Sequence, residues 1–413
     1  MILMLAWRNI WRNPVRSLVI IISVAAGLFA AIAVLALYDG MVMSRMRTVI
    51  DSETGHIQFH HPEFRQDLEP SFVLSDLERL SAQLEKDPSV KHWASRVVTT
   101  GMIATPYGSA GIQINGINAS REVKVSKLDR KLKAGGDSVT KAPGPDLGLV
   151  DGRSILIGRK LATKLKLGMG DKVVLTMTDR DANMVSAAMR IKGIYQSNNA
   201  PLDELNVYVR DQDLAELLGV PGKVHELVVI AASDDSVSVI QDRYSRKFPG
   251  LKVESWKEIS PETQLMIDTV DSYSYIIVII ILIALSFGIV NTMMMSVLER
   301  RKEIGMMTAL GIGSARMMMM VLTETVFLSM VGVPVALGVG WLIVNYYNRH
   351  GLDLSGMGED LMKSFGYDTL IYPTFPVDKL PAIIILVLIS AILASVFPSL
   401  RSVKINPAQA LQK

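Results

Sequence analysis

Four apolar stretches, each long enough to cross a bilayer as a helix, constrain this chain more than any other feature. A hydrocarbon core needs about 20 apolar residues in helical form, and only helices or closed barrels satisfy their backbone groups in lipid. The stretches lie at residues 17–38, 272–298, 317–348 and 380–400. Arg16 and Asp39 bound the first, Asp271 and Glu299 the second, and Arg401 closes the fourth. Glu324 is the one ionisable residue inside any of them. The first stretch exceeds the roughly 7–15 apolar residues of a cleavable signal, and no small-x-small site precedes Asp39, so it reads as a retained helix.

Basic residues set the expected orientation. Arg8, Arg12 and Arg16 precede the first span. Arg300, Arg301, Lys302 and Arg316 lie between the second and third, and Arg401 and Lys404 follow the fourth. With four crossings all three groups fall on one side. Both termini and the segment 299–313 are therefore expected in the cytoplasm, with 39–271 and the loop 349–379 outside. That loop carries Asp353, Glu359, Asp360, Asp368 and Asp378. Residues 1–16 read as an interfacial helix: Trp7 and Trp11 share one face, Arg8 and Arg12 the next, and Pro14 breaks the run. It serves either as an anchor or as a contact for a cytoplasmic partner. The tail, 401–413, is also placed in the cytoplasm.

The spans carry few chemical signals. Glu324 lies about two turns from the start of its helix, where the positive helix end and Arg316 suit a carboxylate; the competing reading is a role in substrate passage. Gly332, Pro334, Gly338 and Gly340 predict a kinked, closely packed third helix. The runs Met293–Met295 and Met317–Met320 spread their sulfurs round the helix, which suits lipid contact or core filling better than a metal site.

The external segment reads as α+β. Residues 55–60 alternate as a strand. Ser75 is expected to cap a helix over 76–86 with Leu77, Leu80 and Leu84 on one face, followed by a strand over 93–104. Towards the far end, 226–231 is a strand, 234–248 an amphipathic helix and 251–256 a strand. Two separated strand–helix–strand halves make one subdomain. Between them, at about 108–206, lies a β-rich insert with turns such as Gly168-Met169-Gly170-Asp171, a short helix over 159–167 and a loop over 133–148.

No catalytic constellation emerges. His56, His60 and His61 lack a completing carboxylate at metal-ligand spacing and are expected on the surface. Ser138 and Lys141 match S-x-x-K inside a Gly/Pro loop, with no K-T-G following. No G-x-S-x-G and no phosphate-binding G-x-x-x-x-G-K-[ST] occurs, so ATP hydrolysis is expected in another chain. Lysines and arginines (43) nearly balance acids (40), which argues against nucleic acid as a partner. The chain has no cysteine, so thiolate zinc sites and disulfide frameworks are excluded.

Between the second and third spans runs Glu299-Arg300-Arg301-Lys302-Glu303-Ile304-Gly305-Met306-Met307-Thr308-Ala309-Leu310-Gly311. Ile304, Met307 and Leu310 fall at helical spacing, and Gly311 and Gly313 end the helix. A charged start with an apolar stripe suits a helix at the membrane surface, either anchored there or seated in a partner's groove. This segment resembles the E-R-x-x-E-I-G-x-x-x-A-L-G signature of the FtsX/MacB/LolC–LolE superfamily of ABC transporter permeases. The tail Ile405-Asn406-Pro407-Ala408-Gln409-Ala410-Leu411 resembles that family's closing motif, and residues 6–14 its opening. Ile157-Gly158-Arg159-Lys160-Leu161-Ala162, leading to residues 167–173, is similar to its periplasmic core domain. Glu324 falls where the family often carries a glutamate.

The resemblance implies a MacB-like periplasmic core on four transmembrane helices in a bacterial inner membrane. Two permease chains, identical or related, would pair. A cytoplasmic ATPase dimer holding ATP and Mg would grip the segment from Glu299 to Met306, with Met307 and Leu310 completing its face. ATP-driven closure would move the external domains without a channel through the membrane. The expected work is lipoprotein release to a periplasmic acceptor. MacB-like efflux and FtsX-like regulation of a cell-wall hydrolase are the alternatives.

Overall fold

The computed structural model describes residues 14–132, 147, 149, 153–310 and 312–403. The interfacial segment 1–13, the loop 133–146 with Ser138 and Lys141, Gly311, and the tail from 404 lie outside the described residues. The chain divides into two compact units. One holds the described parts of residues 1–42, 267–353 and 370–413; the other holds those of 43–266 and 354–369.

The first unit is built on four helices long and apolar enough to cross a membrane. They are α1 (Pro14–Val49), α2 (Pro261–Glu299), α4 (Ser314–His350) and α5 (Leu380–Val403), with the short α3 (Arg301–Ala309) between α2 and α4. Each long helix extends past its apolar window, because polar residues such as those at the start of α2 continue the helix. Buried residues recur in steps of three and four: Val24, Leu28, Ala31 and Leu35 on α1, and Val278, Leu282, Leu285 and Ile289 on α2. Ile383, Val387, Ala391 and Ala394 do the same on α5. In lipid, close packing rather than water exclusion holds such helices together. Gly332 provides it: a Cβ there would lie 3.1 Å from the Ile21 carbonyl and the Val24 side chain of α1. Gly340 abuts Ile32, whereas Gly338 meets nothing and plays no part in this seam. Lys379 pairs with Asp39 at 2.8 Å, and Ser286 bonds Ser390 at 2.7 Å across α2 and α5.

The second unit is α+β, with nine strands in one sheet. Its base has two strand–helix–strand halves: β1 (Ile57–His60), helix Leu77–Leu84, β2 (Val90–Thr105), and β8 (Glu226–Ala231), helix Ser236–Lys247, β9 (Lys252–Ser255). They interleave as β2-β8-β1-β9, the split arrangement expected from the two separated halves. Asp76, not Ser75, sits at the N-cap of helix Leu77–Leu84, in a left-handed conformation without a side-chain cap. The insert contains β3 (Gly108–Ile117), β4 (Ser154–Gly158), β5 (Lys172–Thr178), β6 (Met184–Tyr195) and β7 (Asn206–Arg210). It runs past residue 206, because β7 pairs in parallel with β3. The pairings β2–β3, β3–β7, β7–β4, β4–β6, β6–β5 and β5–β2 close a six-stranded ring. Sixteen-residue β2 belongs to both base and ring, so the insert shares its sheet with the base. Ile103, Ile114, Ile157, Leu175, Ile191 and Val207 are among the buried residues that fill this unit.

Of the three histidines only His60 leaves the surface; His56 and His61 are half-buried. His60 is fully buried and its Nε2 lies 2.8 Å from Glu254; His56 reaches Asp234 at 3.2 Å. Hydrogen bonding from His60 holds the Glu254 carboxyl down at about 2, with Lys252 assisting against the cost of burial. A depressed carboxyl contributes stability that is complete above its ordinary value near 4.5 and is lost as pH falls to about 2. Glu254→Gln should therefore flatten the dependence of Tm on pH between those values and lower Tm at neutral pH. Thermal unfolding of the full chain in detergent across that range checks it.

Candidate functional site

The segment between the second and third spans forms a compact elbow. α2 ends at Glu299 and α3 begins at Arg301, so Arg300 alone separates them. Its guanidinium binds two carboxylates: Nε lies 3.2 Å from Glu303 and Nη1 3.2 Å from Glu324. Glu324 is only 5% exposed on α4. The glutamate inside the third span is therefore tied to Arg300, not to Arg316, and one arginine joins α2, α3 and α4. A buried ion pair adds little net stability, but breaking one is costly, so it fixes a geometry more than it strengthens a fold.

The expected apolar stripe is divided. Ile304 (3% exposed) packs with Val297 of α2 and Met317 of α4, and Met307 lies against the same cluster. Gly305 is buried as well. Leu310 (79% exposed) and Met306 (52%) face outward, beside exposed Arg301 and Lys302. Positions 302, 306 and 310 repeat at one helical turn and define a basic-to-apolar outer face. Ile304 faces inward, and the face exposed among the described residues is Lys302–Met306–Leu310. The periodicity of the sequence contained both faces but could not say which turned inward. The methionine runs split likewise: Met293 and Met317 are buried, Met295 and Met319 exposed.

A second junction lies in the α+β unit, where sequence reasoning missed it. After Val49 the chain makes a π-helical turn, Ile50–Thr54. Lys131 donates to the Asp51 carbonyl and Ser52 hydroxyl at 2.8 Å, and to the Ser126 carbonyl at 2.6 Å. Lys127 pairs with Asp51 at 2.5 Å. Arg96 donates to the Glu53 carbonyl at 2.9 Å while binding Glu122 at 2.7 Å and Glu226 at 3.2 Å. Arg45 joins Glu53, at 3.7 Å, to Thr263 near the start of α2, at 3.3 Å. Burial raises the Glu53 carboxyl and pushes Lys131 down to about 8, with Asp51 opposing the latter. This network grips the end of α1 by backbone and side chain together. No spacing announces it, because its members come from distant elements.

Comparison with known proteins covers both units. The model for the FtsX-like permease C-terminal region matches residues 275–407, and that for the MacB-like periplasmic core domain matches residues 17–246. The chain belongs to the FtsX/MacB/LolC–LolE superfamily of ABC transporter permeases. Among its relatives is the lipoprotein-releasing system transmembrane protein LolC of Xylella fastidiosa, 22% identical over 309 residues, 72% of each chain. LolE of Haemophilus influenzae is 20% identical over 356 residues, 81% of this chain and 80% of its own. An ABC transporter permease of Methanocaldococcus jannaschii is 22% identical over 425 residues, spanning 100% of this chain and 97% of that one. The permease thus combines four apolar helices with a MacB-like core domain.

Proposed function

We propose that this permease is the membrane subunit of a lipoprotein-releasing transporter in a bacterial inner membrane, acting by mechanotransmission. The observation that carries the reading is the divided elbow. α3 offers an outer face to a partner while its inner face is locked to α2 and α4. A cytoplasmic ATPase dimer, with ATP and Mg, seats on the segment Glu299, Arg300, Arg301, Lys302, Glu303, Ile304, Gly305, Met306, Met307 and Leu310, contacting chiefly its outer residues. Its closure tilts α2 and α4 together through Arg300 and Glu324. The grip on the π-helical turn passes the motion of α1 into the periplasmic domain.

Energetics favour a lipid-anchored cargo for such a machine. Each buried CH₂ of an acyl chain holds with about 0.8 kcal/mol, so a multiply acylated protein does not leave a bilayer unaided. Ile276, Ile279, Ile280, Ile283 and Phe287 form an exposed apolar stripe on α2, suited to acyl chains or to a second permease chain, identical or related. The LolC and LolE relatives carry the lipoprotein-releasing name and cover most of this chain. Co-purification from native membranes with the partner ATPase tests the reading. An acylated protein bound, and released to a periplasmic acceptor on ATP addition, is expected. Recovery of a peptidoglycan hydrolase alone, or of an unacylated small molecule or peptide, would replace it with FtsX-like regulation or MacB-like efflux.

A further inference from the structure

β2 begins at Val90, but β3 pairs with it only from Arg96 onward. Val90 and residues 92–95 pair with β8 on one side, Lys91 bulging between them, and have no strand on the other among the described residues. Helix Ala119–Ser126, which follows β3, packs Val125 onto Ala94 and Val228. Between helix and open strand edge lies a cavity of about 680 Å³ floored by Val90 and Trp93. It adjoins a second of about 980 Å³, and Lys91, His92, Val123 and Lys124 line both. The Arg121 guanidinium stacks 3.7 Å above the Trp93 ring.

The charge here is unbalanced. Asp51 pairs with Lys127, and Glu85, the one acid lining the 680 Å³ cavity, pairs with Arg121. Lys91, Lys124, Arg47 and Arg130 make no ion pair with a carboxylate among the described residues, against Asp129, Asp234 and Asp235 on the walls of the larger cavity. Burial pushes the His92 imidazole below its usual range, with Lys91 and Lys124 adding to it. Lysines on an exposed strand edge commonly block unwanted pairing. These line a cleft walled by a helix, which a planar lipid surface cannot enter.

We propose that this cleft binds an acidic, extended segment of a partner protein, added to the open edge of β2. Main-chain bonds along an unpaired edge give affinity, and side chains beside it give selectivity. Six strand residues at about 3.3 Å each span roughly 20 Å, room for about six residues of ligand. Lys91 and Lys124 select the acidic side chains. This holds whether or not the cargo is a lipoprotein, since its test reads binding rather than release.

The probe is a short fluorescein-labelled peptide of alternating Glu and Val, measured by anisotropy against the full chain in detergent. Binding that weakens with salt is expected, with about a tenfold or greater loss in K91E/K124E and none in K223E. Because the chain has no native cysteine, the Ser120→Cys thiolate should displace pyridine-2-thione from a form of the probe whose cysteine carries a 2-thiopyridyl disulfide, leaving a mixed disulfide, and excess unlabelled peptide should block it. This second measurement leaves the lysines untouched. Equal binding of a Lys/Val peptide, binding indifferent to K91E/K124E, or no crosslink at position 120 would overturn the proposal. So would displacement by inorganic phosphate or by phosphatidylglycerol vesicles, which would mark a phosphate site instead.

Discussion

Replacing Arg300 with alanine is expected to lower Tm and to cut ATP-driven release by about tenfold or more. Arg300 is the only residue between α2 and α3, and it holds Glu303 and the buried Glu324 together. Removing it takes one charged partner from the buried Glu324, a loss of up to about 3 kcal/mol for a pair this enclosed. Removing both charges is different, because apolar replacements of a buried pair are often neutral. Arg300→Met with Glu324→Leu should recover most of the Tm. It should not recover release, because an apolar contact lacks the directional bonds that fix α3 against α4. Thermal unfolding and release assays on the two variants separate folding from coupling. Wild-type Tm and release in Arg300→Ala would remove the elbow from the mechanism.

Gly158→Ala should be the most damaging single-methyl change in the external domain. Gly158 ends β4 and starts helix Arg159–Lys164, with ordinary extended dihedrals (φ −74°, ψ 151°). Its requirement is therefore space, not conformation. A Cβ there would overlap the backbone carbonyl of Asp203 in helix Ala200–Leu205. Backbone cannot rotate aside as a side chain can, so overpacking of about 3 kcal/mol or more is expected. Asp203 also accepts bonds from the Ser197 amide and hydroxyl, at 3.0 and 2.6 Å, so a shift there disturbs the chain leading out of β6. A fall in Tm and in near-ultraviolet ellipticity of the full chain in detergent checks this. Unchanged values would mean that the close approach is absent in solution.

What the sequence made legible follows from how local each signal is. Four apolar windows and their basic flanks are contiguous, so the spans could be read directly. The two strand–helix–strand halves showed local periodicity and were placed within a few residues. The closed ring was not legible, because β4–β6 and β3–β7 are parallel pairings between distant segments. The junction network stayed hidden for the same reason: Arg96 meets Glu122 and Glu226, 26 and 130 residues away. At the elbow the signature located α3, but an apolar period cannot tell a hinge face from a docking face. Ile304 and Leu310 are alike in sequence terms and opposite in structure.

In the proposed mechanism, ATP-driven movement enters at the outer face of α3 and emerges in the periplasmic domain. The most direct measurement is the distance between spin labels on the paired chains, at Asp181→Cys in the otherwise cysteine-free permease, with and without ATP. A nucleotide-dependent change is expected in the wild-type assembly. In Met306→Asp/Leu310→Asp that change should be lost along with ATPase binding, while Tm stays near wild type because both residues face outward. An unaltered distance on ATP addition, or the same change in the double variant, would contradict it.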